Sequence, residues 1–354
     1  MKLYDNDLYM EDVRRVAGLP LPWEKLSGKD LLISGASGMI GSFAVDVLME
    51  KNSRGLGCHV YAMGRSRERL ESRFSAVKEE KLLSFMPYDI NKPLEDADVI
   101  RPGCIILHLA SNTHPLQYAT DPVGTITTNI IGLMNLLEYG KEKKAGRILF
   151  ASSNEIYGEN RGDTQLFAED YCGYIDSNTL RAGYPESKRC AEALCQAYIK
   201  AHDMDIVIPR LTRSYGPTML MTDTKAISQF IRKGVAGEDI VLKSEGTQLY
   251  SYTYVSDAVS GLLTVLLLGE KGEAYNIADE ASDIALKDLA AVIADTAGKK
   301  VVFELPDATE AAGYSKATKA LLDGAKLKNL GWQPVYDIGG GIPRTIKILQ
   351  EITQ

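Results

Sequence analysis

The stretch LLISGASGMIG, residues 31–41, decides the fold class of this chain. It joins an apolar run, Leu31–Ser34, to a helical pattern, Ile40–Lys51, through a turn that contains three glycines. The glycines are Gly35, Gly38 and Gly41. In such a unit the first glycine permits the tight turn, the second lets backbone N–H groups approach a pyrophosphate, and the third allows close packing of helix on strand. The helix N-terminus adds unpaired N–H donors and partial positive charge, so the stretch predicts a dinucleotide-binding turn. The other predicted cofactor contacts in this turn are Ser37, Met39 and Ile40.

Outward from this turn, short apolar runs alternate with helical patterns. The predicted strands are Leu31–Ser34, His59–Met63, Leu83–Tyr88, Cys104–Ala110, Arg147–Ser152 and Asp205–Arg210. The clearest predicted helices are Ile40–Lys51, Thr125–Lys143 and Tyr184–His202. Nearly continuous apolar strands that alternate with helices are typical of a parallel sheet covered on both faces. We therefore predict the α/β class: a doubly wound parallel sheet, the Rossmann fold, with a smaller C-terminal α/β substrate lobe.

These patterns divide the chain into three predicted segments. Residues 1–28 form an N-terminal extension, with a short amphipathic helix around Tyr9–Ala17. Residues 29–210 form the dinucleotide-binding Rossmann domain. Residues 211–354 form mainly the substrate-binding lobe, because turn signals replace the regular alternation there. A segment near residues 249–270 is predicted to return to the main domain.

The composition excludes several classes of protein. The 354 residues include 40 Lys and Arg against 47 Asp and Glu, a net charge of −7, which argues against a nucleic acid as the main partner. The longest charge-free apolar stretch, near Ala258–Gly269, is about half as long as a membrane crossing requires. The N-terminus is acidic and interrupted by charges, unlike a signal or transit peptide. We therefore expect neither a membrane nor a nucleic-acid partner.

The cysteines and histidines favour a reduced protein without a metal site. The five cysteines lack paired CxxC spacing, and the four histidines are scattered, without an HExxH pattern. This pattern is typical of a protein in the reducing cytoplasm rather than of one that disulfide bonds stabilise. The cysteines are Cys58, Cys104, Cys172, Cys190 and Cys195.

The loops after the second and third strands are predicted to read the adenosine end of the cofactor. An acidic residue after the second strand would bind the ribose hydroxyls of NAD, but this chain has Gly64, Arg65 and Ser66. Arg65 could pair with the 2′-phosphate of NADP, or it could stack on adenine or face solvent. Asp89 could meet the adenine amino group or serve as a loop cap. The remaining predicted cofactor contacts, in the loops after the third and fourth strands, are Ile90, Leu109, Ala110 and Ser111.

Tyr184 and Lys188 are the strongest candidates for catalysis. They stand four residues apart in a helical pattern and therefore project from one face of the helix. An ammonium close to a phenol favours the phenolate, so we expect Lys188 to lower the pKa of Tyr184 and to make it a general base or acid. Ser153, at the carboxyl end of the fifth strand, lies where open sheets bind ligands and is the expected partner.

Several motifs in this order resemble a known family. They are the glycine turn, HLAS (108–111), SSNEIYG (152–158), YPESK (184–188) and YGP (215–217). With them the chain is similar, from about Lys29 to its end, to the extended short-chain dehydrogenase/reductase family of nucleotide-sugar epimerases and dehydratases. Within that family, residues 108–141, 180–198 and 330–334 resemble the UDP-glucuronate decarboxylases.

The resemblance implies roles for four residues of the reaction centre. Ser153 would hold the substrate hydroxyl, Tyr184 would take its proton, and Lys188 would position the nicotinamide ribose. Glu155 would lie beside the sugar ring. The cofactor would be NAD(P)⁺: the pair Arg65 and Ser66 favours NADP, whereas the redox-neutral chemistry of the family favours NAD.

Five further positions concern the substrate. By resemblance, Arg181 would either contact the substrate or brace its loop, and Asn129 would either lie near the substrate or be a satisfied buried amide. Asn154 stands where a 4,6-dehydratase has an acid, and an amide cannot deliver a proton to a leaving hydroxyl, so dehydration is disfavoured. Arg213 replaces the usual family asparagine, and Tyr250 replaces an arginine that in the decarboxylase meets the diphosphate or the substrate acid. One cation is lost and another gained, which changes the geometry of the expected diphosphate clamp.

The implied function is redox-neutral modification of a nucleotide-diphosphate sugar through a 4-keto intermediate. A carboxylate at C5 would then leave as CO₂, whereas a neutral ketosugar could receive hydride on its other face and become the 4-epimer. Two alternatives stay open: a net NADPH-dependent carbonyl reductase, which Arg65 favours, and a dinucleotide-sensing protein without chemistry. Relatives pair the helices that match Thr125–Lys143 and Tyr184–His202 in a four-helix contact, so we expect a homodimer.

Overall fold

The structure, a computed structural model, describes residues 2–95, 99–113, 115–304 and 318–353. Its strands are β1 (Asp30–Ser34), β2 (His59–Gly64), β3 (Leu83–Pro87), β4 (Ile105–His108), β5 (Arg147–Phe150), β6 (Ser152–Ser153), β7 (Ile206–Leu211), β8 (Arg213–Tyr215), β9 (Ile240–Leu242), β10 (Leu249–Tyr254), β11 (Ala274–Ile277), β12 (Asp283–Ala285), β13 (Val301–Phe303) and β14 (Lys319–Ala320). Its helices are α1 (Asp7–Ala17), α2 (Met39–Ser53), α3 (Arg67–Arg73), α4 (Pro115–Thr120), α5 (Pro122–Glu142), α6 (Gly183–His202), α7 (Ala226–Ala236), α8 (Val255–Leu268), α9 (Leu286–Ala297), α10 (Ala325–Asn329) and α11 (Ile338–Thr353).

The main sheet is parallel and contains every strand predicted from the sequence. Its order is β11–β7–β5–β4–β1–β2–β3, and the short β6 continues β5 by pairing with β7. The order of the strands reverses between β1 and β4, which pair in parallel. Open α/β sheets bind ligands at such a reversal, outside the carboxyl ends of the strands. The predicted doubly wound Rossmann fold is confirmed.

Helices cover both faces of this sheet, which explains its nearly continuous apolar strands. In β1, Leu31 and Ile33 pack into one core with α1, α2 and α8, whereas Leu32 packs into another with α5 and α6. Successive side chains of a strand point to opposite faces, so both must be apolar when both faces are covered. All five residues of β1 are buried accordingly.

The N-terminal extension is part of the main core. Helix α1 packs on α2 and α8, with Tyr9, Val13 and Val16 fully buried. Arg15 forms an ion pair with the buried Asp257 at the start of α8, with 2.8 Å between Nη2 and Oδ1. The buried Asp12 receives hydrogen bonds from Tyr254 and from Arg344 of α11. The extension therefore joins both ends of the chain to the Rossmann core.

The smaller lobe is built from several short strands and three packed helices. Strands β8, β10, β12 and β14 form one small sheet, β9 and β13 pair separately, and α7, α9 and α11 pack together. From β10 the chain enters α8, which packs on β7, and then adds β11 to the edge of the main sheet. The last strand of the main sheet thus comes from a region where the sequence predicts mainly the substrate lobe.

Helix α8 contains the most apolar stretch of the chain. It is 14 residues long, and all of them except Leu268 are buried inside the protein. Across the described ranges, no helix combines the length and apolar character that a bilayer crossing requires.

Candidate active site

The glycine turn between β1 and α2 has the conformation that its sequence predicts. Gly35 has φ of +71°, and a side chain there would place its Cβ 2.8 Å from Cα and N of Ala110. A Cβ at Gly41 would clash with the carbonyl oxygen of Gly35. Gly38 is the N-cap of α2 and offers no side chain to satisfy the first N–H groups of the helix. These donors and the bare backbone around them fit a pyrophosphate. Ser37, Met39 and Ile40 are half-buried along the same turn.

Ser34 joins this turn to the loop after β4. Its hydroxyl oxygen accepts hydrogen bonds from the backbone N–H groups of Leu109 and Ala110, at 3.1 and 3.3 Å. The same oxygen lies 2.8 Å from Nδ1 of His108, in a shared hydrogen bond. Two of the loops predicted to contact the cofactor are therefore held together at the point where the strand order reverses.

The residues predicted at the adenosine end lie on the adjoining loops. Arg65 is exposed directly after β2, whereas the hydroxyl of Ser66 caps α3 by accepting from the N–H of Arg69 at 3.2 Å. Asp89 accepts from the N–H of Asn91 at 3.1 Å and so forms the loop cap that the sequence allows. Ile90 is buried. The choice between NAD and NADP stays a prediction that rests on Arg65.

The phenol of Tyr184 lies at the carboxyl ends of the strands, as the spacing predicts. Helix α6 begins one residue before it and buries its side chain in the site, where Ser153 and Ser111 lie close enough to lower the pKa of the phenol. Ser153 ends β6, and its hydroxyl accepts from the N–H of Glu155 at 3.3 Å. The structure therefore brings the predicted partners together and adds Ser111 to them.

The pKa of Tyr184 departs from its ordinary value in the direction opposite to the prediction. Burial raises the pKa of this phenol, and the nearby Glu155 carboxylate raises it further. The nearby Ser153 hydroxyl and the charge of Arg181 oppose these effects without reversing them. The predicted net lowering of the pKa of Tyr184 is therefore wrong, because desolvation of the phenolate outweighs the favourable contacts.

Lys188 is itself affected by burial. Its ammonium donates a hydrogen bond to the carbonyl of Ala151 at 2.8 Å and lies 4.6 Å from the ring centroid of Phe150. Burial lowers the pKa of Lys188 to about 7. Near neutral pH this side chain is therefore poised between its charged and neutral forms.

Glu155 and Arg181 form an ion pair next to this phenol. Nη2 of Arg181 lies 2.7 and 2.9 Å from the two carboxylate oxygens. Its guanidinium also covers the ring of Tyr118, at 4.9 Å, and that ring stacks on Tyr184, with 5.0 Å between centroids. Sequence reasoning missed Tyr118, because the six-residue helix α4 is too short to show a periodic pattern. Arg181 thus contacts Glu155 and Tyr118 in this structure, and its predicted contact with the substrate stays a prediction.

Asn129 lies beneath the site rather than in it. Its side chain is fully buried, its Nδ2 donates to Ser187 at 2.9 Å, and its Oδ1 accepts from Ser111 at 2.7 Å. The predicted contact with substrate is therefore wrong, and the alternative of a satisfied buried amide is right. Through Ser111 and Ser187, Asn129 ties α5 to the residues around Tyr184.

Arg213 and Tyr250, the two departures from the family pattern, lie against each other. The pairing of β8 with β10 brings the Arg213 guanidinium to 3.6 Å from the ring centroid of Tyr250. Nη1 of Arg213 is buried and has no hydrogen-bond partner within the described ranges. A buried guanidinium nitrogen without a partner carries a large desolvation cost, which an anion could offset.

The cysteines are free thiols, and the described residues form no cluster that could bind a metal ion. All five cysteines are free thiols, and Cys58, Cys104 and Cys195 are buried. In the part of the chain that the structure covers, no three His, Cys, Asp or Glu residues gather where they could hold a metal ion.

Two curated relatives resemble this chain over most of its length. UDP-glucuronic acid decarboxylase 1 of Xenopus tropicalis is 31% identical over 333 residues, which cover 92% of this chain and 74% of the relative. UDP-glucuronic acid decarboxylase 3 of Arabidopsis thaliana is 32% identical over 314 residues, which cover 88% and 86% respectively.

Solved structures share the fold at lower sequence identity. A double mutant of dTDP-glucose 4,6-dehydratase from Streptomyces venezuelae, with NAD bound, superposes with a TM-score of 0.76 at 22% identity, over 91% of this chain and 97% of the other. UDP-glucuronic acid 4-epimerase from Bacillus cereus, in complex with UDP-glucuronic acid and NAD, gives 0.75 at 21% identity, over 91% and 99%.

A family profile covers both the glycine turn and the Tyr184–Lys188 helix. It is that of the NAD-dependent epimerase/dehydratase family, and it matches residues 31–278. Together with relatives above 30% identity over nearly the whole chain, this match leads to one conclusion. The chain belongs to the NAD-dependent epimerase/dehydratase family.

Proposed function

We propose that this protein is an enzyme that modifies a nucleotide-diphosphate sugar through a 4-keto intermediate, as a decarboxylase or a 4-epimerase. The observation that carries the proposal is that Ser153, at the carboxyl end of β6, and Tyr184, at the start of α6, are both buried and interact with each other. Curated relatives named UDP-glucuronic acid decarboxylase and a fold neighbour named UDP-glucuronic acid 4-epimerase support this class of reaction.

The cofactor of the proposed reaction is a nicotinamide dinucleotide. Gly35, Gly38 and Gly41 provide the bare turn that its pyrophosphate needs, and the loop of Leu109 and Ala110 lies directly beside them. When bound, the dinucleotide would supply an oxidised nicotinamide as the acceptor and later the donor of the hydride at C4 of the sugar. Exposed Arg65 favours NADP, whereas the NAD bound in related structures favours NAD.

The chain's own residues handle the proton of the sugar hydroxyl. Ser153 accepts and donates hydrogen bonds at the C4 oxygen, and the Tyr184 oxygen beside it removes the hydroxyl proton and later returns it. Because burial raises the pKa of Tyr184, a positive charge must be supplied to form the phenolate. Lys188 provides it when protonated, and its lowered pKa lets it pass the proton onward.

Glu155 and Arg181 are placed to decide which sugar reacts. Their ion pair lies next to Tyr184, so a substrate group on the C5 side of the ring would meet both charges. A sugar carboxylate could take over Arg181 and displace Glu155, and the 4-keto acid formed from it would lose CO₂. A neutral sugar would leave the ion pair intact, and epimerisation would follow instead.

Arg213 and Tyr250 are proposed to bind the substrate diphosphate. Stacking on Tyr250 holds the guanidinium flat, and its buried Nη1 lacks a partner among the described residues. Arginine is well suited to such a site, because its fork of N–H donors matches the oxygens of a phosphate. The arginine that, by resemblance, the decarboxylases have at the position of Tyr250 on β10 is thus replaced by Arg213 on β8.

A net NADPH-dependent reductase is the second candidate. The exposed Arg65, in place of an acidic residue, is the observation that favours it. A sensor without chemistry is less favoured, because a protein that only binds a dinucleotide does not need the buried set of Ser153, Tyr184 and Lys188.

A cytoplasmic homodimer completes the proposal. The outer face of α5 exposes an apolar stripe at helical spacing: Val123, Ile126, Ile131 and Met134. Water-exposed apolar side chains in one stripe favour contact with a second copy of the helix. The lack of disulfides in the five-cysteine chain supports a reducing compartment.

The test is incubation of the purified protein with UDP-, CDP- and dTDP-sugars, neutral and carboxylated, with NAD⁺ or NADP⁺, followed by mass spectrometry. We expect one sugar to lose CO₂ or to change its C4 configuration without net formation of reduced cofactor.

The variant Tyr184→Phe is expected to lose at least about 100-fold in kcat. Tyr198→Phe, at a half-buried tyrosine farther along the same helix, is the control and is expected to match the wild type. Net oxidation of NADPH by a simple carbonyl, with every sugar unchanged, would support the reductase instead.

A further inference from the structure

Residues 216–225, here called the strap, connect β8 of the lobe to α7 and contact both loops of the cofactor cleft. They run from the YGP motif to the start of α7. None of them belongs to the glycine turn or to the set of Ser153, Tyr184 and Lys188.

One contact of the strap reaches the glycine turn. The hydroxyl of Thr218, which is buried, donates a hydrogen bond to the carbonyl of Met39 at 3.0 Å. Met39 is the first residue of α2, directly after Gly38. The strap is therefore fixed to the same backbone that offers N–H donors to a pyrophosphate.

The other contact reaches the loop after β4. The ammonium of Lys225 lies 3.3 Å from the hydroxyl of Thr113, two residues after Ser111. Lys225 also forms an ion pair with Asp223, at 3.1 Å, and the charge of Asp223 is felt by Tyr118 beside Tyr184. This end of the strap is thus tied to the loop after β4, and its Asp223 acts electrostatically on a ring that stacks on Tyr184.

The strap is held from the lobe side as well. Nη1 of Arg232, on α7, donates to the carbonyls of Met221 and Asp223, at 2.7 and 2.6 Å, and Met219 is buried in the core. Its backbone is therefore braced, so that the bonds of Thr218 and Lys225 fasten one lobe to the other.

From these contacts we propose that the strap retains the dinucleotide through successive turnovers. It joins the loops after β1 and β4, and these are the neighbouring strands between which a dinucleotide crosses the sheet. A cofactor lying between the two loops can leave only after the bonds of Thr218 or Lys225 break. The inference rests on the proposed function and extends that function. A retained cofactor suits a reaction that regenerates the cofactor in every cycle. Retention would hinder a net reductase, which must exchange its oxidised cofactor after each turnover.

The experiment measures the rate at which bound NADH leaves the full-length protein, by stopped-flow fluorescence with excess ADP-ribose as the competing ligand and without any sugar. We expect Thr218→Val and Lys225→Met each to raise the dissociation rate constant about five-fold, the loss of one hydrogen bond. Thr218→Ser keeps the hydroxyl and is expected to restore the wild-type rate. Thr224→Val is the matched control, because the buried Thr224 hydroxyl has no partner within the described residues. Circular dichroism and the thermal midpoint establish that each variant is folded.

The outcomes separate this inference from the proposed function. If the wild type binds NADH and the Thr218 and Lys225 variants release it at the wild-type rate, the retention role is refuted and the enzymatic proposal is untouched. An equal rise in the Thr224 variant would also refute it, because the effect would then be unspecific loosening. If the folded wild type binds neither NADH nor NADPH, the proposed function fails, and the inference fails with it.

Discussion

Glu155 is the residue whose charge weighs most directly against ionisation of the phenol. Its carboxylate raises the pKa of Tyr184, second only to burial, and Arg181 partly balances it. The carboxylate therefore opposes the loss of the phenol proton, at a position where we propose that the sugar binds. Such opposed effects are common at sites where a charged group is kept for its contact with the reacting molecule.

Replacing Glu155→Gln is expected to lower the pKa of Tyr184. The neutral amide removes the repulsion of the phenolate and frees the positive charge of Arg181, and both changes favour ionisation. The rising limb of the kcat/KM–pH profile, on the sugar that the enzyme converts, is expected to move about one unit toward lower pH. Glu159→Gln, the same change at an exposed position nearby, is the control. A limb that stays in place or moves to higher pH would contradict the assigned role of Glu155.

Among the helices, α1 is attached to the core partly through a buried ion pair. Its Arg15 neutralises Asp257, whose carboxylate is completely buried at the start of α8. Asp257 also accepts hydrogen bonds from the backbone N–H groups of Val335 and Tyr336. Burial raises the pKa of Asp257, and Arg15 opposes that effect. The N-terminal helix is thus locked to the Rossmann core and to the segment before α11.

The variant Arg15→Met is expected to lower the free energy of unfolding by about 3 kcal/mol, because it leaves a buried carboxylate without its ion partner. Urea denaturation monitored by circular dichroism measures the change. Adding Asp257→Asn to this variant is expected to recover part of the loss. Arg14→Met on the exposed side of the same helix is the control. Equal stability of the Arg15 and Arg14 variants would show that α1 docks through its apolar face alone.

Strand β4 ends in His108, a histidine that is neutral in the folded protein. Burial lowers its pKa to about 3, and the charge of Lys188 contributes to this shift. Because the unfolded state takes up a proton near pH 6.5 and the folded state does not, the unfolded state binds more protons between pH 6.5 and pH 3. The stability that His108 contributes is thus complete above pH 6.5 and is lost progressively as the pH falls toward 3.

Between pH 7 and pH 5, the free energy of unfolding is expected to fall less in His108→Gln than in the wild type. The two losses are expected to differ by about 2 kcal/mol. Urea midpoints at the two pH values measure this difference, and comparison with the wild type removes the contribution of the carboxylates. His202→Gln, at the exposed end of α6, is the control and is expected to follow the wild type. If His108→Gln shows the same pH dependence as the wild type, His108 is not the proton-linked group.

For the molecule as a whole, the exposed stripe on α5 is the feature that a single chain leaves unexplained. Ile131 and Met134 are 37% and 40% exposed in the middle of a 21-residue helix whose other face is buried. The variant Met134→Asp is expected to shift the protein from dimer to monomer, measured by size-exclusion chromatography with light scattering. Val99→Asp, in an exposed loop, is the control. A wild type that is monomeric at micromolar concentration would contradict the proposed contact.

The sequence by itself determined the sheet and the glycine turn. Every predicted strand is present, and helices α2, α5 and α6 end within a few residues of their predicted bounds. Apolar runs, helical periodicity and the conformational needs of Gly35 are local properties, so they can be read from neighbouring residues. The pair Tyr184 and Lys188 was predictable for the same reason, because a spacing of four places both on one helix face.

Only the tertiary structure decided how the site is charged and braced. The stacking of Arg213 on Tyr250, the place of Tyr118 and the burial of Asn129 join residues that lie far apart in the chain. The same is true of β11, which enters the main sheet from the region of the lobe. The direction of the Tyr184 pKa was mistaken from sequence, because spacing reveals a neighbouring ammonium but not the loss of water around the phenol. Desolvation depends on everything packed about a group, and that is fixed only when the whole chain has folded.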